Sequence, residues 1–145
     1  MPRVFYSAIL KAPSDRIWQV LRDFGGLHRW LPGVVQCAVE DGCRGDQIGA
    51  VRQLVVRDGG AFREQLVALS DYDLTLAYTI LEAPFALTDH LAELRVIPVT
   101  EGGGSFVGWS AEFNCPTTSQ DKTSRFMVDE VFRPGLTALE RGLTT

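Results

Sequence analysis

The chain has 145 residues, 46% of them hydrophobic and 22% charged, with a formal net charge of -4 and a pI near 5.1. That size and apolar content suit one globular domain, residues 1–145, with a sizeable core. The acidic balance and only 14 scattered basic residues argue against a nucleic-acid surface, which needs clustered Lys and Arg to neutralise phosphates.

Arg3 to Lys11, rich in Val, Phe, Tyr and Ile, reads as a first strand. Ala12-Pro13-Ser14-Asp15 then opens a helix, with Pro and a capping side chain near its first turn, and Ile17, Trp18, Val20, Leu21 and Phe24 supply an apolar face. Gly25-Gly26 interrupts that helix, and a second short helical turn through Leu27, His28, Trp30 and Leu31 stops at Pro32-Gly33. From Val34 the hydrophobic period changes from helical to two. Strands are predicted at Val34 to Glu40, Ala50 to Arg57, Ala61 to Ser70, Leu74 to Leu81, Ala86 to Val99 and Ser105 to Cys115. Asp41-Gly42, Asp58-Gly59-Gly60, Asp71-Tyr72-Asp73, Glu82-Ala83-Pro84 and Glu101-Gly102-Gly103-Gly104 separate them as turns. Connections this short make an antiparallel meander.

Three of these strands divide by parity. Leu74, Leu76, Tyr78 and Ile80 share a face, as do His90, Ala92, Leu94 and Val96, and Val107, Trp109, Ala111 and Phe113. One face of the sheet is therefore apolar and aromatic and must be covered. An amphipathic helix from about Gln120 to Leu143 supplies the cover, with Phe126, Met127, Val131, Leu136 and Leu139 at spacings that mix three, four and five. Pro134-Gly135 is expected to kink it near its middle, and Gly135 to leave space beneath it. A curved sheet closed by one terminal helix encloses a space, so a cavity is the expected seat of function.

Arg52 and Glu64 are the first candidates for chemistry there, because each shares a strand parity with apolar neighbours: Leu54 and Val56 for the first, Leu66 and Ala68 for the second. If Asp58-Gly59-Gly60 closes a hairpin, the two lie nearly opposite each other across adjacent strands. In a functional reading Arg52 binds a carboxylate or enolate oxygen and Glu64 orients it or moves a proton. In the structural alternative they form an ion pair near the cavity mouth. His90 is the only histidine on an apolar strand face and has the intrinsic pKa of a general base, whereas His28 reads as a surface residue. The alternative for His90 is a hydrogen bond to ligand or water without catalysis. Val35, Leu54, Val56, Leu66, Tyr78, Ile80, Ala92, Trp109, Phe113, Met127, Val131 and Gly135 are expected to line the cavity, the larger aromatic ones filling it as solid core in the alternative.

Other patterns carry less. No apolar run approaches the roughly 20 residues of a membrane span, and Met-Pro-Arg-Val-Phe lacks the pattern of a secretory signal, so a cytoplasmic location is expected. Cys37, Cys43 and Cys115 have no CxxC spacing and read as ordinary reduced thiols. Arg44-Gly45-Asp46 reads as a turn, and Gly102-Gly103-Gly104 joins two strands without the helix N-terminus that would cradle a phosphate. There is no Gly-x-Ser-x-Gly elbow, and no spacing indicates a metal site. Neither cofactor nor metal is expected.

The order of one strand, two short helices, six strands and a long helix resembles the helix-grip fold of the SRPBCC superfamily, which unites START domains, birch-pollen-type allergens and polyketide cyclases. The residues that carry the resemblance are Ala12-Pro13-Ser14-Asp15-Arg16-Ile17-Trp18, Arg29-Trp30-Leu31-Pro32-Gly33-Val34, Glu40-Asp41-Gly42, Gly49-Ala50-Val51-Arg52, Glu64-Gln65-Leu66 with Ser70-Asp71, and Phe132-Arg133-Pro134-Gly135-Leu136. It implies an α+β fold in which a curved seven-stranded antiparallel sheet wraps around a long C-terminal helix, with two short helices between the first strands. It also implies a cavity for a lipid, polyketide, steroid or hormone-like molecule. In strand layout the chain resembles the plant abscisic-acid receptors of the same superfamily, whose loops matching Asp58-Gly59-Gly60 and Glu82-Ala83-Pro84-Phe85 fold over the ligand. It lacks their Ser-Gly-Leu-Pro string after Arg57. An ungapped count from Asp41-Gly42 puts Val35 at the position of their ligand-anchoring lysine, so the receptor role does not transfer. The expected function is binding or transport of a hydrophobic small molecule, and the alternative is a polyketide cyclase or dehydratase using Arg52, Glu64 and His90. The oligomeric state is left open, a homodimer included.

Overall fold

The computed structural model describes residues 1–144. Strands β1 (Arg3–Leu10), β2 (Val34–Val39), β3 (Val51–Val56), β4 (Ala61–Ser70), β5 (Thr75–Glu82), β6 (Thr88–Pro98) and β7 (Ser105–Asn114) form one seven-stranded sheet in the order β1-β7-β6-β5-β4-β3-β2. Every pair is antiparallel. The apolar parity sets Leu76 and Tyr78, Ala92, Leu94 and Val96, and Val107, Trp109, Ala111 and Phe113 are all buried on the concave face. Register shifts between Val34 and Gln36, at Arg63/Glu64, at Leu66/Ala68 and between Thr88 and Leu91 interrupt the ladders. Such bulges bend a strand and increase its twist, which is how a sheet of this width curls around a helix.

Helix α1 (Ser14–Leu21) starts after Pro13, whose extended backbone is already set for entering a helix, and buries Ile17, Trp18 and Leu21 on one stripe. No side chain caps it. Ser14, its first residue, instead pairs its hydroxyl with Ser105 Oγ at 2.7 Å, tying the helix to the start of β7. Asp71 in the β4–β5 turn holds the other end, accepting from Trp18 Nε1 at 2.7 Å and Arg22 Nε at 2.8 Å. The first helix ends at Leu21, ahead of the glycine pair, and the chain kinks again at Gly26, whose φ of -101 and ψ of 15 are non-helical. Phe24–Arg29 forms a 3-10 segment that includes Gly25 and Gly26 and buries Phe24 and Leu27, while His28 is exposed as expected.

The C-terminal helix runs as α2 (Gln120–Arg125), a π-helical stretch Phe126–Phe132 and α3 (Arg133–Thr144). Pro134 was expected to kink it, and the π stretch directly ahead is how the helix absorbs that proline: the Arg133 N–H reaches five residues back to the Val128 carbonyl. Gly135 does not leave space beneath the helix. It marks the closest approach to the sheet, since a Cβ there would lie 2.7 Å from Leu31 Cδ1 and 3.1 Å from the Trp109 ring.

That contact makes a test. Gly135→Val should lower unfolding free energy by about 1–3 kcal/mol through overpacking. Gly142→Ala in the same helix, with nothing within 4 Å of the new Cβ, should be neutral or slightly stabilising in the same urea titration.

Candidate functional site

A cavity of about 410 Å³ lies between the concave face and the C-terminal helix. Alternate residues of β3 (Arg52, Leu54, Val56), β4 (Phe62, Glu64) and β5 (Tyr78, Ile80) form its floor, with His90 and Trp109 reaching in from β6 and β7. Leu27, Leu31 and Val34 close one side, and Phe126, Met127, Val131 and Phe132 of the π stretch form the roof. The wall runs out to exposed Pro32, Arg57, Asp58 and Glu130, so the cavity meets solvent there. Phe62, Phe85 and Phe126 stack edge to face across one end, with centroids 5.9 Å and 5.7 Å apart, and divide this space from a second hollow of about 420 Å³ under Pro84 and Pro116. The two loops expected to fold over a ligand meet near this end, where a Cβ on Gly60 would lie 3.3 Å from Pro84 Cγ.

At the inner end Arg52 and Glu64 are register partners on β3 and β4. Arg52 donates to Glu64 Oε1 from Nε at 2.9 Å and from Nη2 at 2.6 Å, and from Nη1 to the Phe24 carbonyl at 3.0 Å. Its guanidinium carbon sits 3.8 Å from the centre of the Phe24 ring. Both side chains are buried, at 5% and 9% exposure, and burial of this kind is tolerable only because the charges are paired and hydrogen-bonded. Three of the five guanidinium N–H groups donate and its charge is balanced by Glu64, so a ligand carboxylate would have to compete with Glu64 for Arg52. Glu64 Oε2, by contrast, receives no hydrogen bond among the described residues.

His90 is placed differently from a general base. The Ile80 N–H donates to its Nδ1 at 3.0 Å, so that nitrogen is unprotonated and the ring proton resides on Nε2. Burial pushes the imidazole down from 6.5 to about 4, so it is neutral at physiological pH. The lone pair that would take a proton is already engaged. Tyr78 lies next to it, with ring centroids 5.8 Å apart, and accepts from Trp109 Nε1 at 3.1 Å. Burial, with the Glu64 charge, raises the Tyr78 phenol well above its ordinary range, so it stays protonated. No described group of three His, Cys, Asp or Glu side chains is arranged to hold a metal ion.

Residues 1–144 match the family described as polyketide cyclase / dehydrase and lipid transport. The chain belongs to that family. The family lies in the SRPBCC superfamily, and the helix-grip architecture inferred from the sequence is the one observed. XoxI from Bacillus cereus is 27% identical over 99% of this chain and 96% of its own, with a TM-score of 0.85. A Thermobifida fusca protein solved by NMR is 29% identical over 99% and 93%, with a TM-score of 0.88. Ginseng major latex-like protein 151 from Panax ginseng shares the fold at 18% identity, 99% and 98% coverage and a TM-score of 0.76. Among the described residues no helix is long and apolar enough to cross a membrane. The family's description includes lipid transport, and a cavity walled mainly by Leu, Val and aromatic side chains suits a ligand with apolar surface.

Within this polyketide cyclase and lipid-transport fold, the structure brings Arg52, Leu54, Val56, Glu64, Tyr78, Ile80, His90, Trp109, Met127 and Val131 together around the cavity. Five other expected lining residues fall elsewhere. Val35 is 51% exposed on the opposite face, because the β2 bulge hands the inward position to Val34. Leu66, Ala92 and Phe113 do point to the concave side but are packed in the solid core, and Gly135 is filled over by Leu31 and the Trp109 ring. Phe132 went unread in the sequence, yet its ring stacks on Trp109 at 4.5 Å and seals the roof. Phe62, two residues before Glu64, shared its parity and was readable on that ground; Phe85, in a proline loop, carried no periodic signal.

Two expectations follow. Removing one member of the ion pair, as in Arg52→Leu, should cost about 3–5 kcal/mol, while Arg52→Leu with Glu64→Leu should recover most of it in equilibrium unfolding. For His90 the folded pKa is the lower one, so the unfolded chain takes up a proton near 6.5 that the folded chain refuses until about 4. The stability present at neutral pH is therefore lost as pH falls across that window, by about 3 kcal/mol in all. Glu40, held down to about 2 chiefly by its hydrogen bonds to Arg63, contributes its own loss at lower pH. In urea titrations at stepped pH, His90→Gln should flatten the slope between 6.5 and 4 and leave the lower-pH loss in place.

Proposed function

We propose that this protein binds and carries an apolar small molecule, of lipid, polyketide or aromatic type, in the cavity under the C-terminal helix without transforming it. The observation that carries this reading is the state of the cavity's inner polar groups. The charge of Arg52 is paired with Glu64 and its guanidinium is held on the Phe24 carbonyl, and His90 presents a donor where a general base would present a lone pair. What remains for a ligand is apolar surface with a few oriented polar contacts, which is the composition of a binding site. The family's description, which joins lipid transport to cyclase chemistry, is compatible with it.

One feature favours a second reading, cyclase or dehydratase chemistry: Glu64 Oε2 is free and belongs to the cavity wall, where a carboxylate can accept a proton from an acidic carbon or hydroxyl. Glu64→Gln separates the two. A carrier should show altered affinity and no turnover in either form, whereas an enzyme should lose turnover while keeping affinity.

Native mass spectrometry of the freshly purified protein should reveal an apolar passenger released on denaturation. Val131→Trp, which fills the roof of the cavity, should come through purification folded and empty. A passenger retained by Val131→Trp would place binding elsewhere on the molecule.

A further inference from the structure

His90 owes its position to an irregularity in β6. Between Thr88 and Leu91 the pairing with β7 shifts register, and Asp89 there adopts φ 52, a left-handed conformation that a non-glycine residue takes only under constraint. The β5–β6 ladder also stops short, with Tyr78 and Ala92 as its last partners. The backbone N–H of Ile80, next on that face of β5, then bonds the imidazole Nδ1. A side chain has replaced a strand as the acceptor, and its orientation is fixed as firmly as a ladder position. The Thr79 hydroxyl bonds the His90 carbonyl as well and clamps the same residue from the other side of β5.

The far edge of the ring is free. No described residue bonds His90 Nε2, yet no buried side-chain nitrogen or oxygen lacks a partner, so Nε2–H must open onto the space that His90 lines. Tyr78 offers a second donor beside it, since its oxygen accepts from Trp109 and no described acceptor takes its own proton. The cavity wall carries Arg52 and Arg57 against Asp58, Glu64 and Glu130. The inner cation is neutralised by Glu64, and the surplus charge is negative. Two oriented donors in an apolar pocket with that balance suit an oxygen that accepts hydrogen bonds and bears no charge.

We propose that His90, assisted by Tyr78, determines specificity by donating from Nε2–H to a neutral ketone-type carbonyl, so that the cavity prefers keto-bearing ligands over their alkyl and carboxylate analogues. This rests on the cavity's being a ligand site. It assigns His90 as a fixed donor instead of a base, and it names the ligand's polar group. An alkyl analogue would leave both donors unpaired in an apolar site, and a carboxylate beside His90 would face Glu64, which already takes up the charge of Arg52.

Titration calorimetry with acetylnaphthalene, isopropylnaphthalene and naphthoate, matched in skeleton and ring position, tests this. Wild-type protein should prefer the ketone over the alkyl compound by about fivefold to tenfold, the worth of one or two neutral hydrogen bonds, and should bind naphthoate weakest. His90→Phe should lose most of that preference, bringing its affinities for the ketone and the alkyl compound close to equal. His90→Gln should restore the preference, because its carboxamide can accept from Ile80 N–H and still donate. Should His90→Phe fail to fold, Tyr78→Phe takes its place with a partial loss expected, and long-range proton–nitrogen correlation spectra of the wild type read the tautomer directly. An Nδ1–H or doubly protonated ring at neutral pH overturns the proposal, as does an unchanged ketone preference in His90→Phe. If the wild type binds all three probes equally, the ligand site stands and only the role of His90 falls. If it binds none, the carrier reading falls and this inference falls with it.

Discussion

The buried pair of Arg52 and Glu64 is the constraint around which the site is built. It joins β3 to β4 at the inner end of the cavity, and through the bond from Arg52 to the Phe24 carbonyl it also holds the 3-10 segment against the sheet. That segment and the turn after it carry Leu27 and Leu31, so one side of the cavity wall is positioned by the same guanidinium that balances the charge of Glu64. Stacking on Phe24 adds a contact that a lysine could not supply, since only a planar guanidinium can lie on a ring while donating in its own plane. The desolvation of two charges is thereby offset by three hydrogen bonds and an aromatic face, and a cavity with a charged end remains electrically close to neutral.

Where the cavity opens and where it closes follows from how near the helix comes to the sheet. At Gly135 the missing side chain lets Trp109 and Leu31 pack directly beneath the helix, and Phe132 stacks on the indole next to it. Toward the other end the chain passes through the π stretch, and Phe126, Met127 and Val131 roof a space instead of filling a core. The extra residue per hydrogen-bonded turn is tied to Pro134, which cannot donate to a carbonyl of the preceding turn. The proline therefore bears on function indirectly, through the width of the helix just before it.

Much of this was legible in the sequence, and the reasons for the gaps are specific. Strand order and the inward sets on β5, β6 and β7 follow from a period of two, which a buried face enforces strongly. The Arg52–Glu64 pairing followed from one hairpin and its register. The mixed spacing of Phe126, Met127 and Val131 carried the π stretch unrecognised, because five-residue steps fit neither a regular helix nor a strand. Val35 was misplaced because a bulge exchanges the two faces of a strand, and nothing in Val34-Val35-Gln36 marks one. Leu66, Ala92 and Phe113 show the other gap: parity assigns a side chain to the concave face and is silent on which part of that face is filled. His90 was found as a residue with two roles open, base or hydrogen-bonding partner, and the sequence could not choose between them because its tautomer depends on the Ile80 amide of the neighbouring strand.

That tautomer bears on how one scaffold can host both carriers and enzymes. A histidine whose Nδ1 lone pair faces a cavity can take a proton from a substrate, and one whose Nε2–H faces it can only donate at that atom. In this chain the β5–β6 ladder ends at Tyr78 and Ala92, beside the register shift of β6 against β7, and the Ile80 N–H bonds the imidazole instead of a strand partner. With the ladder continued, that amide would be satisfied by backbone, the ring would be free to turn, and the same residue would have its base available. Burial then works in the same direction as the hydrogen bond, because an imidazole at about 4 does not acquire the proton that would make it an acid. The backbone irregularity and the apolar surroundings thus act together to keep His90 neutral with its Nδ1 lone pair engaged.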